Sequence, residues 1–264
     1  MIAIDHGGAG RAAATILAPP PDLDRLVEYF WIQGPRPVAR WWVVPDASAH
    51  LMAAVTARPD RCRAVRTALV GARSAAAPVE TAGRVLTVGA RLRPGALPAL
   101  VRTPAVALTD RSTLATEAFT PAVLRDLEIG PDTPAPLVVA EIARLIRHAV
   151  ARQDARRLDA ALEDAASVAA LAAHLQLTPR ALHRRAIDGV GLGPKQALRV
   201  IRLQRALLTL STPGRPSIAA AAHAAGFSDQ AHFARDCRDL LGMSATAWLV
   251  LGADSFKPDP VPIE

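Results

Sequence analysis

Cysteine is scarce in this 264-residue chain, which contains only Cys62 and Cys237. The two residues are far apart, they do not form a CxxC pair, and neither has a histidine nearby at metal-ligand spacing. We therefore expect two buried, reduced thiols, and neither a disulfide framework nor a zinc site.

Long apolar runs are also missing, because no charge-free stretch reaches the roughly 20 residues that a membrane-spanning helix needs. The first residues lack the basic head and apolar block of a signal peptide. We expect a cytoplasmic protein with no membrane partner. The hydrophobic content of 51% and the length allow one large domain or two ordinary ones.

The first half has no motif of a known catalytic site, since GxSxG, HExxH and Walker sequences are all absent from it. His6, His50 and His148 are its only histidines. An acid–base or metal pair of His50 with Asp46 is one hypothesis, but a turn cap at Pro45-Asp46 also explains the aspartate. We predict no catalytic residue, no metal ion and no cofactor.

Short apolar runs, interrupted by proline or glycine, predict strands between residues 29 and 111. Such punctuated strands without a long helical period favour an antiparallel sandwich or a cupin-like barrel. Before them, Asp22 is expected to cap a short helix over residues 23–28. The predicted strands include residues 40–44, 50–55, 68–70 and 84–91.

Aromatic residues make up only 4% of the chain, yet five of the ten occur in the first 42 residues. One hypothesis, which we favour, places these rings in the core. The other is a ligand pocket lined by Trp31, Trp41 and Trp42 together with His50.

Three prolines and a glycine within residues 129–136 indicate a linker or domain boundary. After it, apolar residues at helical spacing predict a helix that either dimerises the protein or packs on its own domain. We predict four segments: a β-rich sensor or dimerisation domain (1–130), a linker with its helix (131–155), a helical domain (156–252) and a flexible tail (253–264).

The net charge of +7 is not concentrated in the helical domain as a whole. Residues 1–153 have 18 basic and 13 acidic side chains, and residues 154–264 have 13 and 11. Residues 178–205, however, contain seven basic side chains and one acid, Asp188. This local cluster indicates a polyanionic partner.

A repeat with an offset of 51 residues occupies the second half. Leu182-x-Arg184-x-Ala186 recurs as Phe233-x-Arg235-x-Cys237, and the turn at 191–194 recurs at 242–245. Each copy has the caps and turn of a helix-turn-helix unit. A connecting helix of 17 residues, about 25 Å long, would separate the two units, which suits entry into successive major grooves. The outward-facing positions are Arg180, His183 and Arg184 in the first unit, and Gln230, Ala231, Ala234 and Arg235 in the second.

Residues 156–250 resemble the C-terminal domain of the AraC/XylS family of transcription regulators. The resemblance rests on the segment from Ile218 to Arg235, which contains His-Ala-Ala-Gly-Phe-Ser-Asp-Gln-Ala-His-Phe, and on Arg199-x-x-Arg202-Leu in the connecting helix. It implies an α+β protein with two helix-turn-helix units joined by a long helix, and it assigns base recognition to the seven outward-facing positions named above. It also implies double-stranded DNA as partner, with RNA polymerase, a small-molecule effector and a second copy of the chain as further candidates.

Three short motifs occur in the first half: Asp22-Leu-x-x-Leu-Val-x-x-Phe-Trp31, Val44-Pro-Asp46 and Arg93-Pro-Gly95. On these motifs, residues 19–128 resemble, less specifically, the ligand-sensing or dimerising β domain found in part of that family. The four cysteines of its methyl-accepting DNA-repair relatives are absent, so we predict that the chain is not an enzyme. The alternative is a ligand-binding or metal-dependent cupin-type enzyme with an accessory DNA-binding domain, which would need two or three histidines and a carboxylate. The family usually has phenylalanine at the positions of Ala186 and Cys237, so both recognition helices should pack on a thinner core unless neighbours such as Ile187 and Trp248 fill the space.

Overall fold

The chain folds into a β-rich part followed by a helical part. The computed structural model describes residues 3–5, 14–36, 40–57, 63–80, 84–124, 128–130, 132–150, 158–211, 214 and 216–252. Cys62, His6, the segment 151–157 that joins the two parts and the predicted tail 253–264 lie outside the described residues.

The β-rich part contains two antiparallel sheets. Three strands form one sheet in the order β1-β4-β7, and six form the other in the order β2-β3-β8-β5-β6-β9. The described strands are β1 (Ala3–Asp5), β2 (Ala14–Leu17), β3 (Val27–Arg36), β4 (Arg40–Val43), β5 (His50–Ala57), β6 (Arg63–Val70), β7 (Ala77–Glu80), β8 (Arg84–Leu92) and β9 (Ser112–Leu114). The strands predicted from the short apolar runs are confirmed, and the arrangement is compatible with a sandwich; a cupin-like barrel is not confirmed.

The six-stranded sheet has two differently used faces, because side chains alternate along each strand. On one face, residues such as Phe30, Leu51 and Val88 are fully buried in a core cluster that also contains the apolar stripe of α4 (Ala135–Ala149). This helix therefore packs on its own domain, which was one of the two alternatives left open by its sequence. The short helices of this part are α1 (Leu97–Leu100), a 3-10 turn (Ala105–Leu108), α2 (Ala115–Ala118) and α3 (Pro121–Leu124).

The helix expected over residues 23–28 is wrong. Residues 21–26 form turns, and Val27 already pairs with Leu92 as the first residue of β3. Leu23 and Leu26 are nevertheless buried, because the turn and the strand that follows it place both side chains in the core. Asp22 caps no helix and instead forms an ion pair with Arg147 of α4, at 2.6 Å.

The helical part is built around a long helix, α8, of 17 residues. Its apolar side is buried in a second core cluster together with side chains from the helices on both sides of it in sequence. The described helices are α5 (Asp159–Asp164), α6 (Val168–His174), α7 (Pro179–Gly189), α8 (Pro194–Leu210), α9 (Ile218–Ala224), α10 (Gln230–Asp236), a π-helical turn (Cys237–Leu241) and α11 (Ala245–Gly252).

Candidate nucleic-acid interface

The first helix-turn-helix unit consists of α6 and α7. Each helix begins with a side-chain cap: Ser167 accepts from the N–H of Ala170, and Thr178 accepts from the N–H of Ala181. The turn between them passes through Gln176 at φ 53°, in the left-handed region. These features set the entry angle of α7, whose face opposite the core is exposed.

On α7, the structure places the predicted contact residues together. Leu182 and Ala186 are completely buried, whereas Arg180, His183 and Arg184 are exposed on the opposite side. The spacing i, i+3, i+4 brings these three side chains onto one face of the helix. The first unit therefore presents a basic surface of three side chains to solvent.

The second unit, α9 and α10, repeats this construction. Ser217 caps α9 through the N–H of Ala220, and Asp229 caps α10 through the N–H of His232 at 2.6 Å. The turn between the helices contains Gly226 at φ 86°, where the first unit has Gln176. In both units a left-handed residue therefore closes the first helix.

The exposed face of α10 is less charged than that of α7. Gln230, Ala231 and Arg235 are exposed, Ala234 is half-buried, and Phe233 is fully buried on the opposite side. The four residues predicted for this helix thus share one face. Their arrangement offers one guanidinium, one amide and two methyl groups.

The two units differ where α10 ends. After Asp236 the chain widens into a π-helical turn with Cys237 fully buried, and only then reaches Gly242 at φ 70°. Burial raises the pKa of the Cys237 thiol to about 12, so this thiol stays protonated. The fully buried ring of Trp248 belongs to the same core cluster as Cys237.

An ion-pair group that the sequence pattern did not reveal joins α8 to the second recognition helix. Arg199 donates from Nε and Nη2 to Oδ1 of Asp236, at 3.0 and 2.7 Å, and from Nη2 to Asp239 at 2.8 Å. The hydrogen bond to Asp236 raises the pKa of Arg199 above its usual value. Asp236 is only 3% exposed, so Arg199 rather than water compensates its carboxylate.

The acids near the recognition helices do not neutralise the arginines that point outward. Asp239 pairs with Arg199 rather than with Arg235. Across the described ranges, neither Arg184 nor Arg235 forms an ion pair with any residue. Both guanidinium groups are therefore available to an external acceptor.

A groove of about 630 Å³ lies between the start of α6, the first half of α8 and α10. Four basic side chains and two acids line it, and Lys195 at its edge is exposed. Arg202 stacks over the ring of Phe227, 5.5 Å from its centre, and donates weakly to the carbonyl of Ala166. The charged lining residues are Lys195, Arg199, Arg202, Arg235, Asp236 and Asp239.

Each of the two parts of the chain matches a protein family. Residues 171–249 match the family described as "Helix-turn-helix domain", and residues 15–113 match a "Domain of unknown function (DUF6597)". The matched helical segment contains the end of α6 and all of α7, α8, α9 and α10. The helical part of this chain is a helix-turn-helix domain of the AraC type. The chain is accordingly a DNA-binding transcription regulator.

Solved structures of ToxT from Vibrio cholerae resemble this chain over most of its length. One, at 1.65 Å resolution, has 8% identity and a TM-score of 0.48, and covers 84% of this chain and 98% of its own. Another, of ToxT bound to (E)-4-(8-methylnaphthalen-1-yl)but-3-enoic acid, has 9% identity and a TM-score of 0.47, with coverages of 84% and 98%. So distant a superposition gives no functional inference. A comparison with curated protein sequences gave no match.

In the β-rich part, a buried polar row crosses the second face of the six-stranded sheet. His50 on β5 lies opposite Arg91 on β8, which lies opposite Tyr29 on β3. Arg91 donates to Asp46 from Nη2 at 2.7 Å and forms an ion pair with Glu28.

The Asp46–His50 pair at one end of this row is fully buried, with His50 Nε2 2.9 Å from Asp46 Oδ2. Burial lowers the pKa of His50 to about 4, so the imidazole is neutral near pH 7. Burial opposes ionisation of Asp46, but hydrogen bonds from His50 and the Ser48 N–H lower its pKa overall. An ionised Asp46 only accepts, so Nε2 carries the proton of the imidazole.

The predicted ligand-pocket residues are divided between two places. Trp31 and His50 come together, with ring centres 6.5 Å apart, on the face that bears the polar row. Trp42 lies in the other sheet and packs against the core of the helical part, whereas the side chain of Trp41 lies outside the described residues.

Among the described residues, no group of three histidine, cysteine or acidic side chains is close enough to hold a metal ion. His50 and Asp46 are the pair that the enzyme alternative would use, but they bind each other, and Asp46 also accepts from Arg91. No described helix combines the length and apolarity required to span a bilayer.

Proposed function

We propose that this protein binds a specific DNA site by placing α7 and α10 in successive major grooves. The observation that supports the proposal is the pair of exposed arginines, Arg184 and Arg235, at equivalent positions of two capped helices, where neither forms an ion pair with a described residue. The helix α8 that joins them has 17 residues, or about 25 Å, and slight DNA bending makes up the difference to the ~34 Å groove repeat.

The chemistry of the exposed faces suggests how each helix contacts bases. Arg184 and Arg235 each donate two hydrogen bonds to O6 and N7 of a guanine, and Gln230 pairs with N6 and N7 of an adenine. Arg180 and His183 extend the contact of the first helix. The methyl groups of Ala231 and Ala234 suit the methyl group of thymine. The first helix thus contributes more charge, and the second a more mixed contact.

The groove beside α10 supplies a place for the phosphate backbone. A strand that runs between two successive major grooves passes the region between the two recognition helices. Lys195 and Arg202 in that groove contact phosphate oxygens in this proposal, while Arg199 remains bound to its acids. Phosphate contacts of this kind position the protein without sequence preference.

The test begins with selection of bound duplexes from random-sequence DNA by the full-length protein. Arg184→Ala and Arg235→Ala should each weaken binding to the selected duplex by about 1–3 kcal/mol and relax the preference at one base pair. Arg111→Ala changes an exposed arginine of the β-rich part and is the matched control. It should leave the affinity for the selected duplex and the base-pair preference unchanged. Equal losses on selected and random duplexes would instead make the two arginines phosphate contacts.

We further propose a small-molecule effector site beside Trp31. The indole Nε1 of this buried residue has no hydrogen-bond partner within the described part of the chain, and Tyr29, Met52 and Ile16 pack around it. These surroundings favour an apolar molecule with one hydrogen-bond acceptor for the indole N–H. Native mass spectrometry with a library of small organic acids, on the native protein and on Trp31→Phe, tests the site. Equal binding of the acids by both proteins would refute this effector site.

Two other partners remain predictions from the family resemblance: a second copy of the chain and RNA polymerase. Leu137 at the start of α4 and Leu114 on β9 are exposed apolar side chains of the β-rich part. Analytical ultracentrifugation at several concentrations tests self-association, and co-purification with RNA polymerase on the selected duplex tests the second.

A further inference from the structure

The β-rich part contacts the helical part at each of its two units and at the helix between them. The contacts come from the loop between β6 and β7, here called the docking loop (Ala72–Ala76), from the adjacent turn at residues 105–110 and from residues 44–47. Val44, Ala47 and Ala72 are buried in the same core cluster as the helices. The two parts therefore share one core where they meet.

The first unit is held at the turn that follows its recognition helix. Thr109 Oγ1 donates to the carbonyl of Gly191 at 2.8 Å. Gly191 has φ 90°, and a Cβ on it would lie 2.8 Å from the carbonyl oxygen of Ala105, so only glycine fits this approach. The end of α7 is thus in direct contact with the backbone of the β-rich part.

The second unit is held at the equivalent place. The N–H of Ala76, at the end of the docking loop, donates to the carbonyl of Leu240 at 2.7 Å. Leu240 belongs to the π-helical turn directly after α10. A regular α-helix would use this carbonyl internally or leave it for a C-terminal cap, but here another domain supplies the donor.

Between these two contacts, the connecting helix is held by two glutamine side chains. Gln196 donates from Nε2 to the carbonyl of Ser74 at 3.1 Å, and Gln204 donates to the carbonyl of Pro45 at 2.9 Å. Both side chains are half-buried. The start and the middle of α8 are therefore attached to the β-rich part.

The docking loop is itself fixed to its own domain. Ser74 donates from its N–H and its hydroxyl to the carboxylate of Asp110, at 2.8 and 2.6 Å. Asp46 and Arg73 exchange two backbone hydrogen bonds, at 3.0 and 2.7 Å. Because Asp110 follows Thr109, the contacts to the two units belong to one rigid surface.

We infer that the β-rich part fixes the orientation of α7 and α10 relative to each other, and so determines which spacing of DNA elements the protein accepts. Without these contacts the two units would be joined mainly through α8. They would then lose more conformational freedom on binding both elements, which weakens affinity for the complete site. This inference rests on the proposed function, because it concerns recognition by both helices.

The test uses the full-length double variant Thr109→Val/Gln196→Ala, which removes one contact to the first unit and one to α8. Thr116→Val, an exposed threonine of α2, is the control. Affinity is measured by fluorescence anisotropy on the selected duplex, on the same duplex with one element scrambled, and on the duplex with one base pair inserted between the elements.

The double variant should bind the intact duplex about tenfold more weakly, a loss that two hydrogen bonds can supply, and the one-element duplex less than twofold more weakly. The penalty for the inserted base pair should shrink. A folded variant with the native ratio between intact and one-element duplexes would overturn the inference. If the double variant does not fold, Gln196→Ala alone gives the same comparison. Failure of the native protein to prefer any duplex would instead refute the proposed function.

Discussion

Replacing Arg199 by alanine is expected to destabilise the second helix-turn-helix unit more than any change on its exposed surface. The carboxylate of Asp236 is 3% exposed and receives both of its hydrogen bonds, at 2.7 and 3.0 Å, from this one guanidinium. Both of these hydrogen bonds go to Oδ1, and the buried Oδ2 atom has no hydrogen-bond partner among the described residues. Removing Arg199 therefore leaves a buried charge without compensation, which costs about 3–5 kcal/mol.

The same guanidinium offers a built-in control, because its second acid is exposed. The side chain of Asp239 is 62% exposed, so water replaces its partner, and Asp239→Ala should cost less than about 1 kcal/mol. Asp236→Asn in the Arg199→Ala background should recover part of the loss, since the amide removes the charge and keeps the shape.

Urea unfolding of the full-length variants measures these free energies, and hydrogen exchange over Gln230–Asp236 shows whether the loss is local to α10. Equal costs for Arg199→Ala and Asp239→Ala would refute the reasoning. So would the absence of any recovery on addition of Asp236→Asn.

Two further predictions concern charge. The pKa of His50 falls from 6.5 in the unfolded chain to about 4 in the folded protein. The stability that neutral His50 contributes is therefore fully present above pH 6.5. It is lost progressively as the pH falls towards 4, which lowers the free energy of unfolding by about 3 kcal/mol in total. Urea unfolding at pH 7 and pH 4 should show this loss in the native protein and in the exposed control His148→Gln, but a smaller one in His50→Gln. Lys195→Gln should weaken binding to selected and random duplexes alike and reduce the slope of log affinity against log salt by about 1. Anisotropy titrations at several salt concentrations measure this slope. An unchanged slope would place Lys195 away from phosphate.

The double helix-turn-helix unit was predictable because its information is local and occurs twice. Thr178 and Asp229 are capping residues 51 positions apart, and each caps a recognition helix in the structure. Leu182 and Phe233 lie at the same offset and are both buried completely. A cap acts on an N–H two or three residues away, so a short sequence window contains the whole interaction.

The contacts that hold the molecule together were not predictable in this way. Arg199 meets Asp236 across 37 residues, and Arg91 meets Asp46 across 45. Neither spacing follows a helical or strand period, so nothing in either sequence window indicates the partner. The hypothesis of a turn cap at Asp46 accounts for its bond to the Ser48 N–H but missed the buried arginine.

Amphipathic patterns predicted which face of an element is buried, but not which element packs against that face. The apolar stripe of α4 correctly located its buried side, but a stripe looks the same whether a sheet or a second chain covers it. The helix predicted over residues 23–28 rested on Asp22 as a cap, and it failed because a capping residue type also occurs outside helices; Asp22 pairs with Arg147 of α4. The docking loop has no pattern of its own, since it donates and accepts mainly through its backbone.

The central claim is that both recognition helices bind the same DNA duplex, and hydroxyl-radical footprinting of the full-length protein on its selected duplex tests it most directly. Two protected segments, about one helical turn or 10 base pairs apart, are predicted. Arg184→Ala should weaken protection of one segment and Arg235→Ala that of the other. A single protected segment in the native protein, or protection that both variants reduce equally, would contradict the account.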